Sequence, residues 1–160
     1  MPTKKTKSPK AGRPNMQKGY GISKESAGTL PWTFVQERMT KARNFWVATA
    51  RPDGRAHVMP VWGLWLDDTF CFSTDPNSVK GRNLANKPHA VVHLESGDEV
   101  IILEGSVDFV KTKSAAARFG DLYLTKYNVR PEAGFYRLKP TVAIGWTEKK
   151  FPKNATRWKF

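Results

Sequence analysis

The sequence predicts a mainly β protein, a β-barrel of six or seven antiparallel strands with short helices. Most apolar segments are short, rich in Val, Ile, Phe and Trp, and separated by turn residues, as antiparallel strands are. Few of them alternate cleanly between apolar and polar residues, which indicates that the outer face of the barrel is covered as well. The 160 residues are enough for one domain with its own core. We place that domain at residues 29–160, behind a basic arm at residues 1–28.

The first half of the chain predicts one helix and a three-stranded meander. The arm, residues 1–28, is rich in Lys, Pro, Gly and Ser, which predicts little regular structure and partial disorder. A helix is predicted at residues 33–43, where Thr33 and Gln36 match a capping box. The hydrophobic period then changes to two. Antiparallel strands, joined by the turns RPDG and DD, are predicted at residues 45–50, 56–66 and 69–74.

The second half predicts two further helices among the remaining strands. One, at residues 78–86, begins with Ser78 as its N-cap and is stopped by Pro88. The other is capped by Ser114 and runs to about Tyr127. The remaining strands, of which the last two could form one bent strand, are predicted at residues 90–94, 99–110, 134–138 and 141–146.

The net charge of +13 is concentrated at the two ends of the chain. Residues 1–24 hold seven Lys or Arg and no acidic residue, and residues 149–160 hold five and none. Such ends attract polyanions: nucleic acid, anionic lipid, or a phosphorylated or carboxylated small molecule. We expect no membrane partner, and nucleic-acid binding is disfavoured because the nearly neutral body has no recognisable recognition helix.

Composition also limits the class of protein. Cys71 is the only cysteine, so no internal disulfide can form and the cytoplasm is the expected location. No apolar segment approaches the roughly 20 residues of a membrane span. His89 and His93 lie on a predicted strand, where about 3.3 Å per residue places them too far apart to share a metal ion. We therefore predict no metal site and assign no catalytic side chain.

The segment FSTDPNSVKGRNL, residues 72–84, predicts an anion site. A helix N-terminus offers free N–H groups and the positive end of a dipole. Hydroxyl, amide and basic side chains surround this start at Ser73, Thr74, Ser78, Lys80, Arg82 and Asn83. An ordinary surface helix with basic residues explains the segment equally well.

Pro60 interrupts the longest of the early strands. A proline cannot donate to a sheet ladder, which confines it to an edge or a bulge. Gly63 follows between Trp62 and Trp65, and such an irregular strand can present backbone groups to a flat ligand. The simpler interpretation is that Pro60 only closes an exposed edge of the barrel and has no part in ligand binding. With the anion site, the pattern describes a site of the size of a flavin.

Three segments resemble those of a known superfamily. They are FWVATARPDGRAHVMPVWGLWLDDTFCFSTDPNSVKGRNLANKPHAVVHL, VIILEGSV and TRWKF. They are similar to the pyridoxamine 5′-phosphate oxidase-like, split β-barrel superfamily, and most of all to its branch of flavin- and deazaflavin-dependent (F-420) oxidoreductases. Within that resemblance, SVKGRNL matches the pattern S-x-K-x-x-N-L at Ser78, Lys80, Asn83 and Leu84.

The resemblance implies an FMN-binding split barrel that forms a homodimer with two cofactor sites at the subunit interface. It places the flavin or deazaflavin ring along the second strand, at Met59, Pro60, Val61 and Trp62. It places the cofactor's phosphate at Ser73, Thr74, Ser78, Lys80 and Asn83, with Arg82 nearby. It also implies that Arg157 and Trp158 close the site, from the same subunit or from its partner.

The implied activity is hydride transfer between reduced F-420, or FMN, and a small conjugated organic acceptor. F-420 is favoured because its polyglutamate tail is the longer anion, which basic chain ends would suit, and because KGRNL is closer to the deazaflavin branch. Pyridoxamine phosphate is not the expected substrate, because genuine oxidases have a further C-terminal segment where this sequence reads TRWKF. Val79 stands where one version of the phosphate motif has an arginine, which removes one possible contact to the cofactor's phosphate. A cofactor carrier without turnover is the alternative.

Overall fold

A computed structural model describes residues 7–132 and 134–160, so the first six residues of the basic arm lie outside the description. No helix in the described ranges is long and apolar enough to cross a bilayer. The helices are α1 (Trp32–Lys41), α2 (Val79–Asn86) and α3 (Lys113–Tyr127). The strands are β1 (Lys10–Gly12), β2 (Asn44–Ala50), β3 (Ala56–Leu66), β4 (Thr69–Phe72), β5 (His89–His93), β6 (Glu99–Val110), β7 (Phe135–Thr147) and β8 (Thr156–Lys159).

Six antiparallel strands form a closed barrel in the order β7-β4-β3-β2-β5-β6, and β6 pairs with β7 to close it. Strand β8 pairs with the second half of β7, and β1 pairs with β8, so two short strands extend the sheet beyond the barrel. The mainly β barrel and the meander of β2, β3 and β4 are confirmed. The two last predicted strands form one strand, β7, opposite an irregularity between Glu104 and Gly105 of β6.

Two apolar clusters form the core. The larger fills the barrel and includes the fully buried side chains of Phe45, Phe70, Leu103 and Trp158. The smaller lies under α3 and consists of Leu64, Cys71, Val110, Phe119, Tyr123, Tyr127 and Phe135. Burial of a large apolar side chain contributes about 1.5–3 kcal/mol. Because α3 covers part of the outer face, most of β4 is buried on both sides, as the weak alternation of the sequence indicates.

Helix α1 begins differently from the prediction. Its N-cap is Pro31, whose side chain forms no capping hydrogen bond, and Thr33 lies inside the first turn. The Gln36 side chain does not complete a capping box and instead donates to Asp68 Oδ1 at 2.9 Å. The Gln36 side chain thus bonds to the turn between β3 and β4 instead of capping its own helix.

The start of α3 differs from the prediction, and the chain end forms a strand for which no prediction was made. Helix α3 begins at Lys113, so Ser114 is not its N-cap. The basic C-terminal segment is not a loose tail but the strand β8, in which Thr156 and Trp158 are buried and Arg157 is half-buried. Buried and more exposed side chains therefore alternate along β8. The sequence does not show this alternation clearly, because the segment is rich in Lys and Arg.

Arg13 fastens the described part of the arm to the barrel. Its guanidinium donates to the backbone carbonyls of Glu25, Ala27, Lys153 and Ala155. These carbonyls belong to two segments that are distant in sequence, the arm and the loop before β8. One side chain thus joins residues 13–27 to the C-terminal strand.

Candidate functional site

A cleft opens where β3 changes neighbours. Strand β3 pairs with β2 from Ala56 to Trp62, but with β4 only from Gly63 to Leu66. Along its first half, the edge of β3 that faces away from β2 is therefore not covered by any strand of the described ranges. Pro60 lies in this half, so the edge position predicted for it is confirmed.

The cleft lies between this free edge, the end of β4 and the start of α2, and has a volume of about 400 Å³. It brings together six of the predicted cofactor-binding residues, Pro60, Val61, Trp62, Ser73, Thr74 and Lys80. Asn44 and Tyr123 complete its lining, which includes no acidic residue. A strand edge on one side and hydroxyl and ammonium groups on the other suit a flat polar ligand with an anionic group.

Ser78 is the N-cap of α2, as predicted. Its Oγ accepts a hydrogen bond from the Gly81 N–H at 3.1 Å and lies 3.3 Å from Thr74 Oγ1. Gly81 is required here, because a Cβ at this position would lie 2.5 Å from the carbonyl oxygen of Pro76. The loop therefore folds closely over the first turn of α2, which places Thr74 beside the helix start.

Lys80 is the only cation among the residues that line the cleft. Its side chain is half-buried and forms no ion pair with any residue that the structure describes. Burial lowers the pKa of its ammonium group below the ordinary value. A partly desolvated ammonium without a counter-ion costs free energy, and an anionic ligand in the cleft would offset that cost.

Arg82 and Asn83 are absent from the cleft lining and hold α2 in place. The Arg82 guanidinium donates to the carbonyl oxygen of Asn77. The buried Asn83 amide donates to Thr49 Oγ1 of β2 at 2.9 Å. Arg82 thus ties the helix to the loop before it, and Asn83 positions the helix relative to β2.

Four further predicted residues do not line the cleft within one chain: Ser78, the cap of α2 described above, and Met59, Arg157 and Trp158. Met59 is on the free half of β3 and 44% exposed. Trp158 lies inside the barrel, fully buried, with its ring 5.6 Å from that of Trp32. Arg157 is on β8, where it is opposite Ile144 of β7. A role for Arg157 at a cleft therefore needs a second subunit, and Trp158 could contribute its side chain only by leaving its own core.

Tyr127 of α3 stabilises the cleft edge and was not predicted to take part. Its Oη accepts from the Gly63 N–H at 3.0 Å and lies 2.7 Å from the carbonyl oxygen of Arg43. Lys126 donates to the Gly63 carbonyl oxygen at 3.1 Å. Burial, and then the charge of Arg43, lower the pKa of Lys126 to about 8. No local pattern in the sequence indicates that the end of α3 lies on β3.

His57 is the second functional candidate that sequence reasoning missed. It lies on the free half of β3, two residues before Met59, and its Nδ1 is buried without a hydrogen-bond partner among the described residues. The period of two along β3 places His57 and Met59 on the same face, which is the signal that could have found it. Among the described residues, no group of three metal-ligating side chains occurs.

Comparison with known proteins identifies the family. Residues 33–147, which include the whole cleft lining, match the pyridoxamine 5′-phosphate oxidase family. The chain belongs to this family. The match begins at α1 and ends with β7, so it spans the complete six-stranded barrel of the pyridoxamine 5′-phosphate oxidase fold. None of the curated proteins matches the chain.

Solved structures share the fold. A conserved hypothetical protein of Mycobacterium tuberculosis, Rv2991, is 22% identical, with 80% of this chain and 92% of that chain covered and a TM-score of 0.69. A protein described as F420 reductase is 21% identical, with 68% and 94% covered and a TM-score of 0.57. An FMN-binding, pyridoxamine 5′-phosphate oxidase-related protein of Nostoc punctiforme is 17% identical, with 77% and 87% covered and a TM-score of 0.53. At these identities the likeness shows the split-barrel fold alone.

Proposed function

We propose that the protein is an oxidoreductase that binds a flavin-type cofactor and transfers a hydride between reduced F-420, or FMN, and a small conjugated acceptor. One observation carries the proposal: the uncovered edge of β3 faces the N-terminus of α2 across a cleft whose one cation, Lys80, has no counter-ion among the described residues. Proteins named for F420 and FMN are among those that share its fold.

The residues that line the cleft, together with Met59 and Ser78 beside it in the chain, fit such a cofactor. The backbone and side chains of Met59, Pro60, Val61 and Trp62 would hold the ring against the free edge of β3. The phosphate would bind Ser73, Thr74, Ser78 and Lys80, with Arg82 and Asn83 supporting the helix start. Arg157 would close the site from a second subunit, and Trp158, buried in the barrel of that subunit, would hold the strand β8 that carries it. The bound cofactor would supply the hydride chemistry, whereas the chain supplies position, charge and exclusion of water.

Two features favour F-420 over FMN. The cleft lining contains a cation and no acidic residue, and the Arg43 guanidinium lies 4.9 Å from the ring centroid of Trp62, which lines the cleft. A cofactor with a long anionic tail gains more from this charge than one with a single phosphate. Pyridoxamine phosphate is not the substrate that we propose.

We further propose that a second copy of the chain covers the outer face of β2 and β3. Trp46 is opposite Pro60 and Ala48 is opposite Val58, so these apolar side chains lie on one face beside Trp62. Val58 is 49% and Trp62 is 36% exposed. Contiguous exposed apolar surface of this kind marks an interface. We expect the homodimer to act in the cytoplasm, where Cys71 stays reduced.

Fluorescence titration of the purified protein with F-420 and with FMN tests the cofactor site. We expect one of them to bind in the micromolar range, and Lys80→Ala to weaken binding by about tenfold or more, because a contact to a charged group is worth about 1.5–3 kcal/mol. Lys87→Ala, an exposed lysine at the other end of α2, is the matched control and should bind normally. If neither cofactor binds, the proposal is wrong.

A panel of conjugated acceptors then separates the enzyme from a cofactor carrier. Oxidation of the reduced cofactor that depends on an acceptor supports the oxidoreductase. Tight binding of a cofactor with no acceptor-dependent oxidation would instead support the carrier.

A further inference from the structure

His57 has a buried ring nitrogen that no described residue satisfies. Its Nδ1 is shielded from solvent and lacks a hydrogen-bond partner. Most buried polar atoms in proteins are hydrogen-bonded, so an exception requires an explanation. A ligand that binds beside the ring would provide one.

The position of His57 shows where such a ligand would lie. His57 is directly opposite Thr49 of β2, and Thr49 Oγ1 accepts from Asn83 of α2. The imidazole therefore lies on the face of the sheet that α2 covers. Lys80, in the first turn of this helix, lines the cleft.

The charged groups that act on His57 are both positive. They are Arg51, in the turn between β2 and β3, and Lys80, on α2. The Arg51 guanidinium donates to the carbonyl oxygen of Ala56 at 2.9 Å, which holds it over the start of β3. Burial first, and then these two cations, keep the pKa of His57 below its ordinary value. At neutral pH the imidazole of the free protein is therefore mostly uncharged, and both charges that act on it are positive.

We propose that His57, Arg51 and Lys80 form an anion subsite at which binding of a phosphate-like group is accompanied by the uptake of one proton on His57. The proton comes from solvent and returns to it when the anion leaves. The proposal rests on the proposed function in that the anion is the phosphate of the cofactor. It adds that cofactor affinity depends on pH through one named side chain.

The sign of the dependence follows from linkage. A bound anion favours the imidazolium, so the pKa of His57 is higher in the complex than in the free protein. Affinity is then highest below the free-state pKa, falls as the pH rises through the interval between the two values, and becomes constant above the bound-state pKa. Each unit by which the anion raises the pKa corresponds to about a tenfold change in affinity.

NMR titration of the histidine rings tests the subsite without any cofactor. Sulfate is the probe, because its charge does not change around neutral pH. We expect saturating sulfate to raise the pKa of His57 and to leave those of His89 and His93 unchanged, and we expect the effect to weaken in Lys80→Ala. A His57 pKa that does not respond to sulfate would overturn the proposal.

Cofactor binding provides the second arm. The affinity of the protein for F-420 should fall with rising pH, whereas binding of riboflavin, which lacks the phosphate, should not. FMN is the poorer probe, because its phosphate itself ionises near pH ~6. His57→Gln should remove most of the dependence, and His89→Gln, an exposed histidine on β5, should keep it. Equal pH dependence in the wild type and His57→Gln refutes the subsite but leaves the proposed function intact. A sulfate response without cofactor binding refutes the function and leaves the subsite.

Discussion

Trp62 and Tyr127 stack face to face, with ring centroids 4.7 Å apart and an angle of 6° between the planes. The pairing of β2 with β3 ends at Trp62, and the Tyr127 hydroxyl takes the place of the next rung, between Gly63 and Arg43. One residue of α3 therefore holds both the backbone and the aromatic side chain at the cleft edge.

Tyr127→Phe should destabilise the protein by about 1–3 kcal/mol, because the buried Gly63 N–H then lacks an acceptor. The stacking ring remains, so the measurement isolates the hydroxyl. Urea denaturation gives the free energy of unfolding. Tyr20→Phe, on a ring that is 53% exposed, should be neutral. An equal stability of both variants would show that the Gly63 bond contributes nothing.

Lys126 should make stability depend on alkaline pH. Its pKa is about 8 in the folded protein against an ordinary value of 10.5, so between these values the unfolded chain binds more protons and stability rises with pH. Below about 8 the lysine is protonated in both states, so it causes no pH dependence of stability there. The stability of the wild type relative to Lys126→Met should therefore increase over that window. Relative to Lys41→Met, at an exposed site, the stability of the wild type should not change with pH.

Gly81→Ala should damage the start of α2. The new Cβ would lie within 2.6 Å of the carbonyl oxygens of both Pro76 and Asp75, so the loop must move away from the first turn. We expect weaker cofactor binding in the titration described above, with the barrel still folded by circular dichroism. Asn86→Ala, at the exposed end of the same helix, should bind as the wild type does. Unchanged affinity in Gly81→Ala would show that the loop geometry is unimportant.

Arg13→Gln should loosen the arm and the C-terminal strand together. The variant loses most of the hydrogen bonds to the carbonyls of the arm and of the loop before β8, and bonds from a charged donor are worth about 1.5–3 kcal/mol each when made. Hydrogen exchange should become faster in β1 and β8 and remain slow in β6. Lys18→Ala serves as the control. An unchanged rate of hydrogen exchange in β8 would show that Arg13 does not hold the C-terminal strand in place.

Local signals carried much of the prediction. The bounds of β3 and β6 were predicted to the residue, because turns on both sides delimit them. Ser78 was predicted as the N-cap because its hydroxyl lies directly before the start of the predicted helix. Pro60 was placed at an edge because of its missing N–H. Each of these depends on residues that are close in sequence.

The remaining features depend on contacts between distant segments. Tyr127 contacts Gly63 across 64 positions, and Trp158 packs on Trp32 from the other end of the chain. The sequence shows a basic tail where the structure has a strand, because one buried tryptophan and one buried threonine suffice to anchor it. The burial of His57 Nδ1 could not be predicted, because it depends on how α2 packs against the sheet.

The uncovered edge of β3 has a cost for the isolated chain. Unpaired N–H and C=O groups along a strand are a template on which a strand of another molecule can add. Here that edge adjoins apolar side chains that are exposed. A cofactor in the proposed site would also cover this edge, so we expect the protein without cofactor to aggregate more readily than the cofactor-bound protein.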